Sequence, residues 1–162
     1  MLILGIDPGL ARTGWAILRK KPQPQLIKWG CITTSSKKKS SQRLLETYQE
    51  LQAIIKVSRP QVVAVEKLFF NTNAKTAFMI GEARGVIKIC AELHHLPIIE
   101  FTPLQIKNSV VGYGRADKRQ VQEMVKTQLG LKEIPRPDDA ADAVAVALTY
   151  CFYKKKLESD RK

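Results

Sequence analysis

Two acidic side chains stand where apolar strand patterns end. Residues 2–6 form an apolar, β-prone run, and the next residue is Asp7. Gln61-Val62-Val63-Ala64-Val65-Glu66 is a second short run that ends in a carboxylate. Strand alternation puts Val62, Ala64 and Glu66 on one face. Two further acids, Asp139 and Asp142, are three residues apart at the start of an Ala-rich segment. As a helix, that segment presents both to one side. Taken singly, each acid also reads as a turn cap or as a partner for a helix dipole. Taken together they point to a site, because α/β sheets gather their sites at the carboxyl ends of strands. Buried charges of one sign need a cation. Hard divalent ions with oxygen ligands meet that need, and no His/Cys cluster favours zinc. Two such ions can clamp an in-line phosphoryl displacement.

The charge balance fits such chemistry. Lys plus Arg number 27 against 15 acids, a net charge of +12. That balance favours a polyanionic partner, nucleic acid first. The three cysteines, Cys31, Cys90 and Cys151, are widely spaced with no CxxC, so neither a disulfide framework nor a zinc site is expected, and a reducing cytosol is the default. No apolar run approaches the roughly 18 residues of a membrane span, and no signal peptide is expected.

The elements that must position the acids follow from periodicity and punctuation. Residues 2–6 and 15–18 read as a hairpin, with a turn spanning Pro8-Gly9 to Thr13-Gly14. Residues 26–33 give a third strand and 34–42 a polar loop containing Lys37, Lys38 and Lys39. A helix over 43–57 ends at Arg59-Pro60, and the strand ending in Glu66 follows. A loop carries Phe69 and Phe70, and a long helical pattern covers 74–95. Within it Phe78, Gly81, Gly85, Ile89 and Leu93 fall near one stripe. Gly81 and Gly85 would admit another helix closely. A last strand at 97–101 leads to Thr102, Pro103 and Gln105, which signal a helix start. Asp117 with Gln120 signals another, running to Leu129-Gly130. The final helix begins at Asp138 and runs to about Tyr153. This reading gives one α/β domain over residues 1–153, a mixed sheet of about five strands flanked by helices, and a basic, flexible tail over 154–162.

Several of these blocks recur together in one family. Gly5-Ile6-Asp7-Pro8-Gly9 with Thr13-Gly14-Trp15-Ala16, Val65-Glu66 with Phe69, Gly81-Glu82-Ala83-Arg84-Gly85, Val110-Val111-Gly112-Tyr113-Gly114 with Ala116-Asp117-Lys118, and Asp139-Ala140-Ala141-Asp142-Ala143 closely resemble the RuvC family of Holliday junction resolvases. The resemblance covers nearly the whole chain. It implies a ribonuclease H-like fold and a homodimeric endonuclease that resolves four-way DNA junctions. Paired nicks would fall in strands of like polarity, with two magnesium ions per site, or manganese in their place. It also implies a RuvA-RuvB branch-migration complex as partner and a bacterial cytoplasmic, nucleoid-associated location.

Carried over by position, Asp7, Glu66, Asp139 and Asp142 would be the metal-binding catalytic acids. Asp138 adjoins the block, but Asp139 keeps the three-residue spacing to Asp142. Lys107 and Lys118 match basic residues near the scissile phosphate, and Lys118 is also electrostatically unfavourable at a helix start. Phe69 matches an aromatic that stacks on unpaired bases, with Phe70 beside it as the alternative. Arg115 joins them as a DNA-binding candidate. Phe78, Gly81, Gly85 and Ile89 would lie in the dimer interface.

Three rival readings have distinct signatures. A sugar-kinase or actin-like ATPase shares the Gly-Ile-Asp-Pro-Gly and Thr-Gly pattern but needs a second lobe and a second phosphate motif. A non-catalytic junction-binding protein would not need all four acids. A ribonuclease H acting on RNA–DNA hybrids is separated from the resolvase reading only by its substrate.

Overall fold

The computed structural model describes residues 1–20, 22–67 and 74–159. In chain order the elements are β1 (Leu2–Asp7), β2 (Arg12–Arg19), β3 (Gln25–Thr33), α1 (Ser40–Ser58), β4 (Val62–Glu66), α2 (Ala74–Leu93), β5 (Ile98–Phe101), α3 (Pro103–Val110), α4 (Lys118–Gln128) and α5 (Asp138–Ser159). The five strands form one sheet in the order β3-β2-β1-β4-β5. The first three are antiparallel, and β4 and β5 join parallel to β1. Helices cover both faces, as the near-continuous apolar runs of β1 and β4 require.

The faces divide by residue parity. Ile3, Ala16, Leu18, Val62, Ala64 and Phe101 pack with α3, α4 and the Ala-rich stretch of α5. Leu4, Ile6, Ile17, Val63 and Val65 pack on the other side with Leu51 and Ile55 of α1 and Ile87, Cys90 and Ala91 of α2. Continuing the alternation, Asp7 and Glu66 both belong to the face that α5 covers. Two glycines let that helix sit directly on the strands. A Cβ on Gly5 would lie 2.3 Å from the Ala143 carbonyl oxygen, and one on Gly14 only 1.8 Å from that of Asp139.

Four boundaries differ from the sequence reading. β2 begins at Arg12, so Thr13 and Gly14 are in the strand rather than the turn. The pairing of Asp7 with Gly14 holds them there, and Thr13 Oγ1 closes the short loop onto the Gly9 carbonyl at 2.7 Å. α1 starts at Ser40, three residues early. Lys39 precedes it, and its N–H donates to Gln42 Oε1 at 3.1 Å. α2 ends at Leu93, where His95 takes a positive φ of 53°. α5 continues past Tyr153 to Ser159, so the backbone of residues 154–156 is helical. Phe69 and Phe70 lie outside the described residues.

Candidate active site

The strand ends place the first two acids side by side. Ile6 pairs with Val65 in the parallel register, so Asp7 and Glu66 follow as neighbours on one face. Their carboxyls share a hydrogen bond, which holds a proton on Asp7. Burial first, and then the charges of Glu66, Asp142 and Asp139, push the Asp7 carboxyl up to about 8. Glu66 is also raised, chiefly by burial, although the hydrogen bond from Asp7 opposes it. Asp142 is raised by burial, against the pull of its Lys118 hydrogen bond. These shifts mean that the acids of two strands and one helix share a single electrostatic field. An acid kept protonated to about 8 weighs against folding as pH rises from its ordinary 3.8. A bound cation removes that burden.

The neighbouring bases partly fill that role. Lys118, at the first position of α4, reaches Asp142 at 2.8 Å and Asp138 at 3.9 Å. Arg12, at the start of β2, reaches Asp139 at 3.7 Å. Among the described residues no group of three or more Asp, Glu, His or Cys side chains stands ready to hold a metal ion. The two helix acids pair with these bases, whereas Asp7 and Glu66 pair with each other. The donor set itself fits a hard divalent ion, because it is entirely oxygen and electrostatically coupled.

Asp138 is engaged differently. Arg136 holds it at 2.7 Å, and the charges acting on Asp7 are those of Glu66, Asp142 and Asp139. A cavity of about 210 Å³ opens beside Asp7 and Glu66, with Pro8, Lys67 and Arg84 in its wall. A larger apolar cavity of about 640 Å³ lies over Trp15 and Ile17 against Ile54 of α1, and contains none of the acids.

The remaining candidates are distributed around this centre. Capping boxes at Thr102/Gln105 and Asp117/Gln120 start α3 and α4 where the sequence places them. Lys107 lies half-buried in the last turn of α3, and Arg115 is exposed ahead of α4. Neither makes an ion pair with a described residue. On α2, Phe78 is 70% and Ile89 59% exposed, and both Gly81 and Gly85 border open space. Sequence reasoning missed Arg12, which falls in an expected turn, and Arg84, which reads as an ordinary helix arginine. It also missed why Gly14 is glycine. Gly14→Ala is expected to push the first turn of α5 off the sheet, costing about 1–3 kcal/mol of stability and displacing Asp139. Chemical denaturation beside a cleavage assay checks this, and unchanged stability would contradict the close seating of α5.

Comparison with known proteins covers nearly the whole chain. Residues 3–150 match the family model for crossover junction endodeoxyribonuclease RuvC. The protein of that name from Caldicellulosiruptor saccharolyticus is 55% identical over 152 residues, covering 93% of this chain and 92% of the relative. That from Finegoldia magna is 54% identical over 156 residues, covering 96% and 95%. The solved structure of T. thermophilus RuvC in complex with a Holliday junction substrate superposes with a TM-score of 0.92 at 34% identity, covering 96% of each chain. The sheet and helix arrangement is thus that of the ribonuclease H-like fold.

Proposed function

The chain belongs to the RuvC family of crossover junction endodeoxyribonucleases, and we propose that it resolves four-way DNA junctions by paired hydrolytic nicks at the site built from Asp7, Glu66, Asp139 and Asp142. Members of this family use divalent metal ions. Here the four carboxylates would hold two magnesium ions, with manganese able to replace them. The observation that carries the reading is the convergence of these acids at the ends of β1 and β4 and the start of α5, where burial, and then the charges of Glu66, Asp142 and Asp139, raise Asp7 to about 8. When bound, such ions lower the pKa of the attacking water and offset charge on the departing oxygen.

The protein's own groups do the rest. With a cation bound, Asp7 would release to solvent the proton it shares with Glu66, leaving both carboxylates to hold the ion. Asp139, in the first turn of α5, and Asp142, just after it, complete the set from a helix that Gly5 and Gly14 let sit directly on the strands. Lys118 lies within 2.8 Å of Asp142 and can turn to a phosphate oxygen. Lys107 and Arg115, with the net charge of +12, attract the DNA backbone. Phe69 or Phe70 would stack on unpaired bases at the crossover. Among the described residues no helix is long and apolar enough to cross a membrane. A bacterial cytoplasmic location beside the nucleoid, with RuvA-RuvB supplying branch migration, completes the proposal.

A single domain carries one acidic centre, whereas resolution requires two cuts. A two-fold dimer would supply both, with a symmetry that matches the junction. The exposed face of Phe78, Gly81, Gly85 and Ile89 on α2 is the surface proposed to make it. A Cβ on Gly85 would meet nothing within 4 Å in the monomer, so Gly85→Leu should leave the fold intact. It should overpack the dimer by about 1–3 kcal/mol and shift the protein toward monomer. Sedimentation at micromolar concentration with a cruciform-plasmid assay tests both points. Wild type should sediment as a dimer and linearise the plasmid. A wild-type monomer that only relaxes the plasmid would refute the paired-nick proposal.

A further inference from the structure

Arg84 is charged, yet only 8% exposed. A guanidinium is tolerated inside a protein when it is paired and hydrogen-bonded. Its two arms reach different strands. Nη1 donates to the main-chain carbonyl of Glu66 at the end of β4, and Nη2 donates to the Glu100 carboxylate on β5. Lys88, one turn further along α2, also reaches Glu100, at 3.3 Å. Arg84 itself lines the cavity beside Asp7 and Glu66.

The ladder explains why the Glu66 carbonyl needs this donor. In a parallel sheet, alternate residues of a strand bond to the neighbours on either side. The N–H groups of Val63 and Lys67 donate toward the β5 side, to Pro97 and Phe101. The even-numbered residues of β4 therefore turn to β1. With Ile6 opposite Val65, the β1-side residue whose N–H would meet the Glu66 carbonyl is number 8. That residue is Pro8, which has no N–H. A buried carbonyl left without a donor is costly, and α2 supplies the donor from outside the sheet.

We propose that Arg84 is a positioning residue for the metal site: by tying the end of β4 to β5 and α2, it fixes the backbone from which Glu66 projects its carboxylate. It acts through Glu66 and touches no reacting atom. The proposal rests on the reading of Glu66 as a metal ligand.

Manganese binding to the DNA-free protein, followed by calorimetry, tests it on wild type, Glu66→Gln, Arg84→Lys and Arg84→Ala. Arg84→Ala should weaken manganese binding by about tenfold to a hundredfold, the range expected for a residue that orients a ligand. Arg84→Lys keeps the charge but not the two-armed geometry, so it should fall between. Junction affinity in calcium should stay at the wild-type level, and cleavage should recover as magnesium is raised, which a general loss of structure would not allow. Wild-type manganese affinity in a folded Arg84→Ala or Arg84→Lys protein overturns the proposal. If Arg84→Ala does not fold, Arg84→Lys decides alone. Glu66→Gln separates the two possible failures. If it binds manganese as wild type does, the Glu66 assignment falls and the Arg84 proposal falls with it. If it loses manganese while both Arg84 variants keep it, only the Arg84 proposal fails.

Discussion

Glu66→Gln is expected to lower junction cleavage by more than about a hundredfold, beyond the usual effect of losing a ligand's supporting partner, while junction affinity holds or rises. The substitution keeps the shape of the side chain and removes its charge. Electrostatics cannot weaken DNA attraction by deleting a negative charge near phosphate. It also relieves Asp7, since the Glu66 charge is, after burial, the largest cause of its raised value near 8. Asp7 should then ionise at lower pH, so a protonated Asp7 cannot explain the loss. Cleavage rates at saturating protein, with binding measured in calcium, separate the effects. Retention of more than about a tenth of wild-type cleavage, only about 1.4 kcal/mol of barrier, would count against the metal role.

Lys118→Ala should lose cleavage by about 10²–10³, the range for one preorganised charged donor at a transition state, with less than about a tenfold change in affinity. Lys118 stands at a helix start, where the dipole disfavours a cation. Although burial pulls its pKa down, the hydrogen bond and charge of Asp142 raise it overall, so the ammonium stays charged. A lysine tied to Asp142 and left 55% exposed is poised to exchange that partner for phosphate. If Lys118 served only in docking, affinity would fall, the salt slope would drop by about 1 unit and the rate at saturation would hold. Those two patterns cannot both appear, and the second would refute its placement at the scissile phosphate.

Asp7 and Glu66 stand out in the sequence because each breaks a local rule. A carboxylate that ends an apolar strand violates the burial preference, and the violation needs no knowledge of the fold. Parity of Val62, Ala64 and Glu66 gave the correct face of β4, the one that α5 covers. The three-residue spacing of Asp139 and Asp142 was likewise local. Thr13-Gly14 after Pro8-Gly9 looks like a turn in the sequence, although Gly14 lies in β2. Its real constraint is the Asp139 carbonyl, 125 positions later in the chain and set only by packing. The contacts of Arg84 are hidden from the sequence for a related reason. The lack of an N–H at Pro8 is written in the sequence, but the vacancy it leaves at Glu66 appears only once the strand register is known. The apolar stripe of α2 was visible from periodicity, whereas its exposure required the fold.

The resolvase reading and the hybrid-nuclease reading differ only in substrate, so substrate choice is the most direct measurement. A mobile four-way junction and an RNA–DNA hybrid duplex would be incubated side by side with the wild-type protein and magnesium, with calcium as control. The expected result is a pair of symmetric, ligatable nicks in junction strands of like polarity, no cutting in calcium, and an intact hybrid. Digestion of the hybrid with the junction left whole would contradict the proposed function.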